Sequence, residues 1–134
     1  MHAPQAQSTL EQNKHLLARW FEEVWNQGHR EVIHKVFSAD AVFRDGKNTY
    51  RGPDGFCEFY DTQRKQFSNF SIKPIVGLAE HDLVCSHVSV ECEHIESKTK
   101  VQFTAIAIVR VANGQFTEAW QNWDQAGLAA QLAG

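Results

Sequence analysis

The chain has 134 residues, a formal net charge of −3, 43% hydrophobic and 22% charged residues, the profile of one globular domain. No run of Lys or Arg exceeds the pair at 64–65, which leaves nucleic acid without an electrostatic footprint. The longest uncharged strand-like run, "VQFTAIAIV" at 101–109, is too short to span a bilayer.

From the N-terminus, "MHAPQAQSTLEQNK" has no apolar signal-peptide core, so the chain is expected in the cytoplasm, with residues 1–8 flexible. Ser8 and Glu11 form a capping-box pattern. After it Leu10, Leu17, Trp20, Phe21, Val24 and Trp25 recur at helical steps up to Gly28, predicting an amphipathic helix. A second, short helix follows through Val32, Ile33, Val36 and Phe37, and "SAD" ends it. "AVFRD" at 41–45 alternates as a short strand, and "GKNTYRG" at 46–52 reads as a loop. Pro53 opens a third helix over about 53–67, with Phe56, Phe59, Tyr60 and Phe67 on one face.

From Phe70 the period changes to two, predicting strands at 70–80, 83–95, 100–111 and 115–123 joined by short turns. Helices followed by strands make an α+β fold: three N-terminal helices packed on one face of a curved, mainly antiparallel sheet. "GLAAQL" at 127–132 is a short terminal helix or a frayed tail.

Cys57, Cys85 and Cys92 are odd in number and lack CxxC spacing, so they are read as small buried hydrophobes. His87 and His94 are seven apart on one strand and face opposite sides, and no HxxxH or Cys/His cluster appears. No metal and no cofactor is expected: phosphate-loop, dinucleotide and GxSxG motifs are absent too.

Four stretches carry a resemblance: "ARWFEEVWNQGH" at 18–29, "VFSADAVFRD" at 36–45, "GPDGFCEFY" at 52–60 and "NGQFTEAWQNWDQAGLAAQL" at 113–132. They resemble SnoaL-like proteins, the polyketide-cyclase-like branch of the nuclear transport factor 2-like superfamily, over about Asn13 to Leu132. The resemblance implies a cone whose open end forms an apolar pocket. In the cyclases an acid/base aspartate stands three positions before the "D..G" element, which is Asp124 to Gly127 here. That position holds Gln121, whose amide exchanges no proton near neutral pH. Ketosteroid isomerases of the superfamily have a base aspartate, a tyrosine and a protonated carboxyl; the matching positions are Asp45, Phe21 and Ala107. The loop that covers the pocket mouth in relatives is shortened here to "IESKTK" at 95–100.

Asp45 is therefore the candidate general base, and it has a competing reading as the cap of its own "DGKNT" turn. Trp20, Phe21, Phe56, Tyr60, Gln121 and Trp123 are candidate pocket residues, though aromatic stripes at helical spacing also simply fill cores. His94 shares the parity of Val84, Ser86, Val88, Val90 and Cys92, which makes it either a ligand contact or a residue of the hairpin turn. A homodimer is expected through the outer face of the meander, with Gln102, Thr104, Ile106, Ile108 and Arg110. Two functions fit. One is a cofactor-independent isomerase, cyclase or dehydratase acting on a small, largely apolar, oxygenated molecule of polyketide or steroid kind. The other is a binding or interaction module that has lost its catalytic acids.

Overall fold

The computed structural model describes residues 3–134, with side chains from Thr9 onward. The expected flexibility of residues 1–8 and the Ser8 side-chain cap fall outside the described residues and side chains. In chain order the elements are α1 (Ala3–Trp20), a π-helical turn (Phe21–Asn26), α2 (Val32–Val36), β1 (Phe37–Asp45), β2 (Asn48–Arg51), α3 (Gly52–Gln66), β3 (Phe67–Glu80), β4 (Leu83–His94), β5 (Thr99–Ala112), β6 (Gln115–Trp123) and α4 (Gln125–Ala133). The six strands form one curved sheet in the order β2-β1-β6-β5-β4-β3, antiparallel except for the parallel β1–β6 pair. The fold is the α+β cone of the nuclear transport factor 2-like kind, and the terminal helix is formed.

Four boundaries differ from the sequence reading, the first being that α3 stops at Gln66 and Phe67, read as part of that helix, opens β3. α1 begins at Ala3, upstream of the Ser8 pattern. β1 begins at Phe37, because the "SAD" that interrupts the periodicity is absorbed as an irregularity between the Phe37–Phe116 and Val42–Glu118 pairings. The stretch read as a loop folds back as β2, paired to β1 from Asp45–Asn48 to Val42–Arg51. Its two-residue connection places Gly46 at φ +59°, a backbone glycine adopts without steric cost.

Strand alternation sorts side chains between a dry and a wet face. Val84, Ser86, Val88, Val90 and Cys92 of β4 are buried, as are Val101, Phe103, Ala105, Ala107, Val109 and Val111 of β5. Cys85 lies on the other face of β4 and is only half-buried, so it is not a core residue like Cys57 and Cys92.

The helices fill the concave side with aromatic rings. Trp20 stacks on Phe37 at 5.1 Å, Phe37 meets Phe56 at 4.8 Å, and Trp25 meets Tyr60 at 4.9 Å and Phe70 at 5.1 Å. Such pairs each contribute about 0.5–1.5 kcal/mol beyond their buried area.

The π-helical turn is not predictable from apolar spacing, and it sets how α1 meets the sheet. The Gln27 N–H donates to the Glu22 carbonyl at 2.9 Å, closing the wider turn. The carbonyls of Val24 and Trp25 then accept from α3, from the Tyr60 hydroxyl (2.8 Å) and the Arg64 guanidinium (2.9 Å). At the end of the turn Asn26 accepts from the Ile72 N–H (2.7 Å) and donates to the Ile72 carbonyl (3.1 Å), covering the free edge of β3. Among the described residues no helix is long and apolar enough to cross a membrane.

Candidate functional site

Asp45 ends β1 on the same face as the buried Phe43, and its strand partners are Asn48 on β2 and Gln121 on β6. Its carboxylate is half-buried and, among the described residues, makes no hydrogen bond or ion pair. It does not cap the Gly46 turn. Burial without a counter-charge pushes its pKa above the usual aspartate value.

The carboxylate lines a cavity of about 290 Å³ at the wide end of the cone. α3 supplies Phe59, Gln63 and Gln66, the sheet supplies Phe67 and Trp123, and α4 supplies Gln125, Leu128, Ala129 and Leu132. The aromatic walls hold one another: Trp123 lies 5.0 Å from Phe103, 6.4 Å from Phe67 and 6.5 Å from Phe59. The lining contains no Lys, Arg or His, so Asp45 is its sole ionisable group.

α4 closes this cavity because the strand beneath it stops early. β6 ends at Trp123, opposite Ala105, and leaves the β5 backbone before it without a strand partner on that side. The Asp124 N–H donates to the Thr104 carbonyl at 2.9 Å. Gln131 completes the edge, accepting from the Gln102 N–H (2.9 Å) and donating to the Gln102 carbonyl (2.7 Å). Asp124 itself caps α4 by accepting from the Gly127 N–H at 3.0 Å. A Cβ at Gly127 would collide with that carboxylate, which explains why glycine follows the aspartate at this spacing.

Deeper in the cone the space is almost filled. A void of about 20 Å³ remains among Leu17, Trp20, Phe21, Phe37, Phe43, Phe56, Phe116, Trp120, Gln121 and small neighbours, room for roughly one water molecule. Gln121 reaches it with a buried Nε2 that has no hydrogen-bond partner. The pairings set Asp45, Gln121, Ala107 and Ser86 side by side across β1, β6, β5 and β4. Ser86 is the buried polar residue of the described core, so this row is its one polar track.

The predicted site residues therefore separate. Asp45 and Trp123 share the mouth cavity, whereas Trp20, Phe21, Phe56 and Gln121 line the small inner void. Trp20, Phe21, Phe56 and Tyr60 are buried core residues whose rings are packed rather than walls of an open pocket. The Tyr60 hydroxyl donates to the Val24 carbonyl, and Tyr60 lines neither the mouth cavity nor the inner void. His94 stands at the β4–β5 hairpin, where its Nδ1 pairs with Ser97 Oγ at 2.8 Å and its ring packs 5.4 Å from Phe67. Gln63, Gln66 and the α4 residues were not anticipated. Phe56, Phe59, Gln63 and Gln66 continue one stripe at steps of three and four, so an apolar face turning polar in its last turns was the available signal.

Residues 15–132 match the model of the SnoaL-like polyketide cyclase family. The chain belongs to this family. No curated protein matches it in sequence. Among solved structures it is similar to a SnoaL-like protein of Jannaschia sp. CCS1 named as a candidate polyketide cyclase. That likeness has TM-score 0.86 and 17% identity, covering 99% of this chain and 96% of that one. It is similar to IdmH of Streptomyces antibioticus, also named as a candidate polyketide cyclase, with TM-score 0.81 and 20% identity over 92% and 99% of the two chains. It is also similar to a Mycobacterium tuberculosis epoxide hydrolase, with TM-score 0.77 and 14% identity over 93% and 92%. At these identities the likeness is one of fold. In this SnoaL-like chain the carboxamide of Gln121 stands beside the carboxylate of Asp45 in the sheet, and Ala107 stands beyond it.

Proposed function

We propose that the Asp45 cavity binds a small, largely apolar, oxygenated molecule and that Asp45 acts on it as a general base, without a cofactor. One observation carries this reading: a half-buried carboxylate with no partner among the described residues faces a cleft walled by Phe59, Phe67, Trp123 and α4 and lined by three glutamine amides. A base is effective when its pKa lies near the working pH, and burial moves Asp45 in that direction. The volume of about 290 Å³ suits a ligand of one or two fused rings. Family membership supports a small-molecule ligand of polyketide kind.

The step is a proton abstraction. A C–H bond beside a ligand carbonyl breaks, the proton passes to Asp45 Oδ, and the bonding pair becomes the C=C bond of an enolate. Return of the proton at the same or another carbon completes exchange or isomerisation, and no further reactant is needed.

The test is deuterium exchange at the acidic α-carbon of 2-tetralone, followed by proton NMR. The native chain accelerates exchange, and Asp45→Asn loses about a hundredfold or more of that acceleration. Equal rates for the two proteins would remove Asp45 from the chemistry.

A second reading keeps the cavity and drops the reaction. Its support is Gln121, a carboxamide where the cyclases of this family carry their acid, above an interior void too small for a ligand. Under that reading 2-tetralone binds and does not exchange.

We also infer a homodimer through the outer face of the sheet. Ile106, Val76 and Leu78 expose 48%, 50% and 65% of their surface there. The patch borders a charged cluster in which Glu118 bridges Arg44 (2.8 Å) and Arg110 (3.1 Å), and Arg110 also pairs with Asp82 (2.9 Å). Its three free cysteines accord with the cytoplasm as its compartment.

A further inference from the structure

We infer that Gln63 is the hydrogen-bond donor that holds the oxygen on which charge develops when Asp45 removes a proton. This inference rests on the base role of Asp45 and adds the group that would make that role productive.

The need is electrostatic. When a C–H bond beside a carbonyl breaks, the negative charge lands on the carbonyl oxygen, inside a cavity that already holds one carboxylate and no cation. Without a donor aimed at it, that oxyanion is costly to form. The positions that supply donors in the isomerases hold Phe21 and Ala107 here, and neither side chain can donate.

The cavity offers few alternatives. Its lining has no Lys, Arg or His, and its side-chain donors are the carboxamides of Gln63, Gln66 and Gln125 and the indole N–H of Trp123, whose ring is packed against Phe103, Phe67 and Phe59. None of the three amides makes a side-chain hydrogen bond among the described residues. Gln63 and Gln66, three apart on α3, present to the same side of the helix. Gln66 and Gln125 are exposed, while Gln63 is half-buried, one turn below Phe59 on the cavity wall.

Its backbone is fixed independently of its side chain. The Gln63 carbonyl accepts from the Phe67 N–H that ends α3, and Phe67 is itself buried in the same wall. The helix thus sets the residue's position while its amide stays free to meet a ligand. Gln66 and Gln125 form the polar rim.

The assignment implies an uncharged ligand whose carbonyl or phenol oxygen reaches α3 while its acidic C–H or O–H faces β1. The cavity has no cation to neutralise a carboxylate or phosphate.

The test uses 2-naphthol, a stable shape mimic of the enol of 2-tetralone, with its fluorescence reporting both binding and ionisation. The native chain binds it, and titration of the complex gives the ligand's apparent pKa there. Gln63→Leu weakens binding about tenfold, the effect of removing one good hydrogen bond to the ligand's oxygen. The near-isosteric Gln63→Glu raises that apparent pKa, since a carboxylate repels the oxyanion formed on ionisation. Asp45→Asn leaves binding intact or tighter, because it removes a negative charge from the cavity. Thermal melts of each variant separate a lost contact from a lost fold.

Native-like binding by Gln63→Leu together with a native-like apparent pKa in Gln63→Glu overturns the assignment and leaves the base role of Asp45 standing. Loss of binding in Asp45→Asn with none in Gln63→Leu also overturns it, because the ligand's oxygen would then be donating to Asp45. Absence of any 2-naphthol binding to the native chain overturns the cavity reading and this assignment together.

Discussion

Asp45 and Gln121 are neighbours in the sheet, yet they face different spaces and pose opposite energetic problems. Asp45 is a charge without a partner. With its folded pKa raised by burial, the native state holds the proton where the unfolded chain has released it. This group's favourable share of stability is therefore full below the unfolded carboxylate pKa of about 3.9, and it falls as pH rises through the folded value. Asp45→Asn is expected to be more stable than the native chain at pH 7 and equal to it near pH 3, measured by urea unfolding at both pH values. Gln121 is a donor without an acceptor. Replacing it with the similarly sized methionine removes an unpaired buried amide and should raise stability by about 1 kcal/mol in the same measurement. A loss instead would mean that an oxygen, from water or ligand, occupies the adjoining void.

At the level of elements, α4 decides whether there is a cavity at all. It buries Leu128 fully and Leu132 in part, and its other ties are the Asp124 cap and the Gln131 amide. A nine-residue helix is marginal alone, so these ties carry much of its stability. Gly127→Ala should cost about 1 kcal/mol or more by displacing the cap. Asp124→Ala should cost a similar amount, and the double substitution little beyond either, because both break the same bond. Thermal melts of the three variants check this. The "D..G" spacing was legible in the sequence as a family mark, and the structure supplies its cause. β2 and the π-helical turn were not legible. β2 arises because the edge of β1 recruits a short polar stretch through the Gly46 turn, with little apolar alternation to announce it. The π-helical turn leaves no mark in apolar spacing and shows itself only through the partners of Val24 and Trp25.

Across the whole molecule, alternation along β4 and β5 was enough to assign the inner and outer faces, because nearly every second residue of those strands is apolar and buried, with Ser86 the buried polar exception. The aromatic stripes marked the concave side correctly but not their use: spacing cannot tell a wall from a filling, and the rings of Trp20, Phe56 and Tyr60 fill. The cavity that holds Asp45 lies at the mouth instead, where α3, β6 and α4 meet. The outer face carries its own prediction. Ile106→Glu places a charge in the exposed apolar patch and should convert a dimer to a monomer by sedimentation, with the fold unchanged by circular dichroism.

The base role of Asp45 depends on its carboxylate being desolvated and unpaired. Carbon-13 NMR titration of the carboxyl groups, with the Asp45 signal assigned through Asp45→Asn, measures this directly. The account predicts an Asp45 pKa clearly above the ordinary aspartate value of about 3.9 that rises further when 2-naphthol closes the cavity from water. A value at or below 3.9, unchanged by 2-naphthol, would mean a solvated surface carboxylate and would contradict the proposed site.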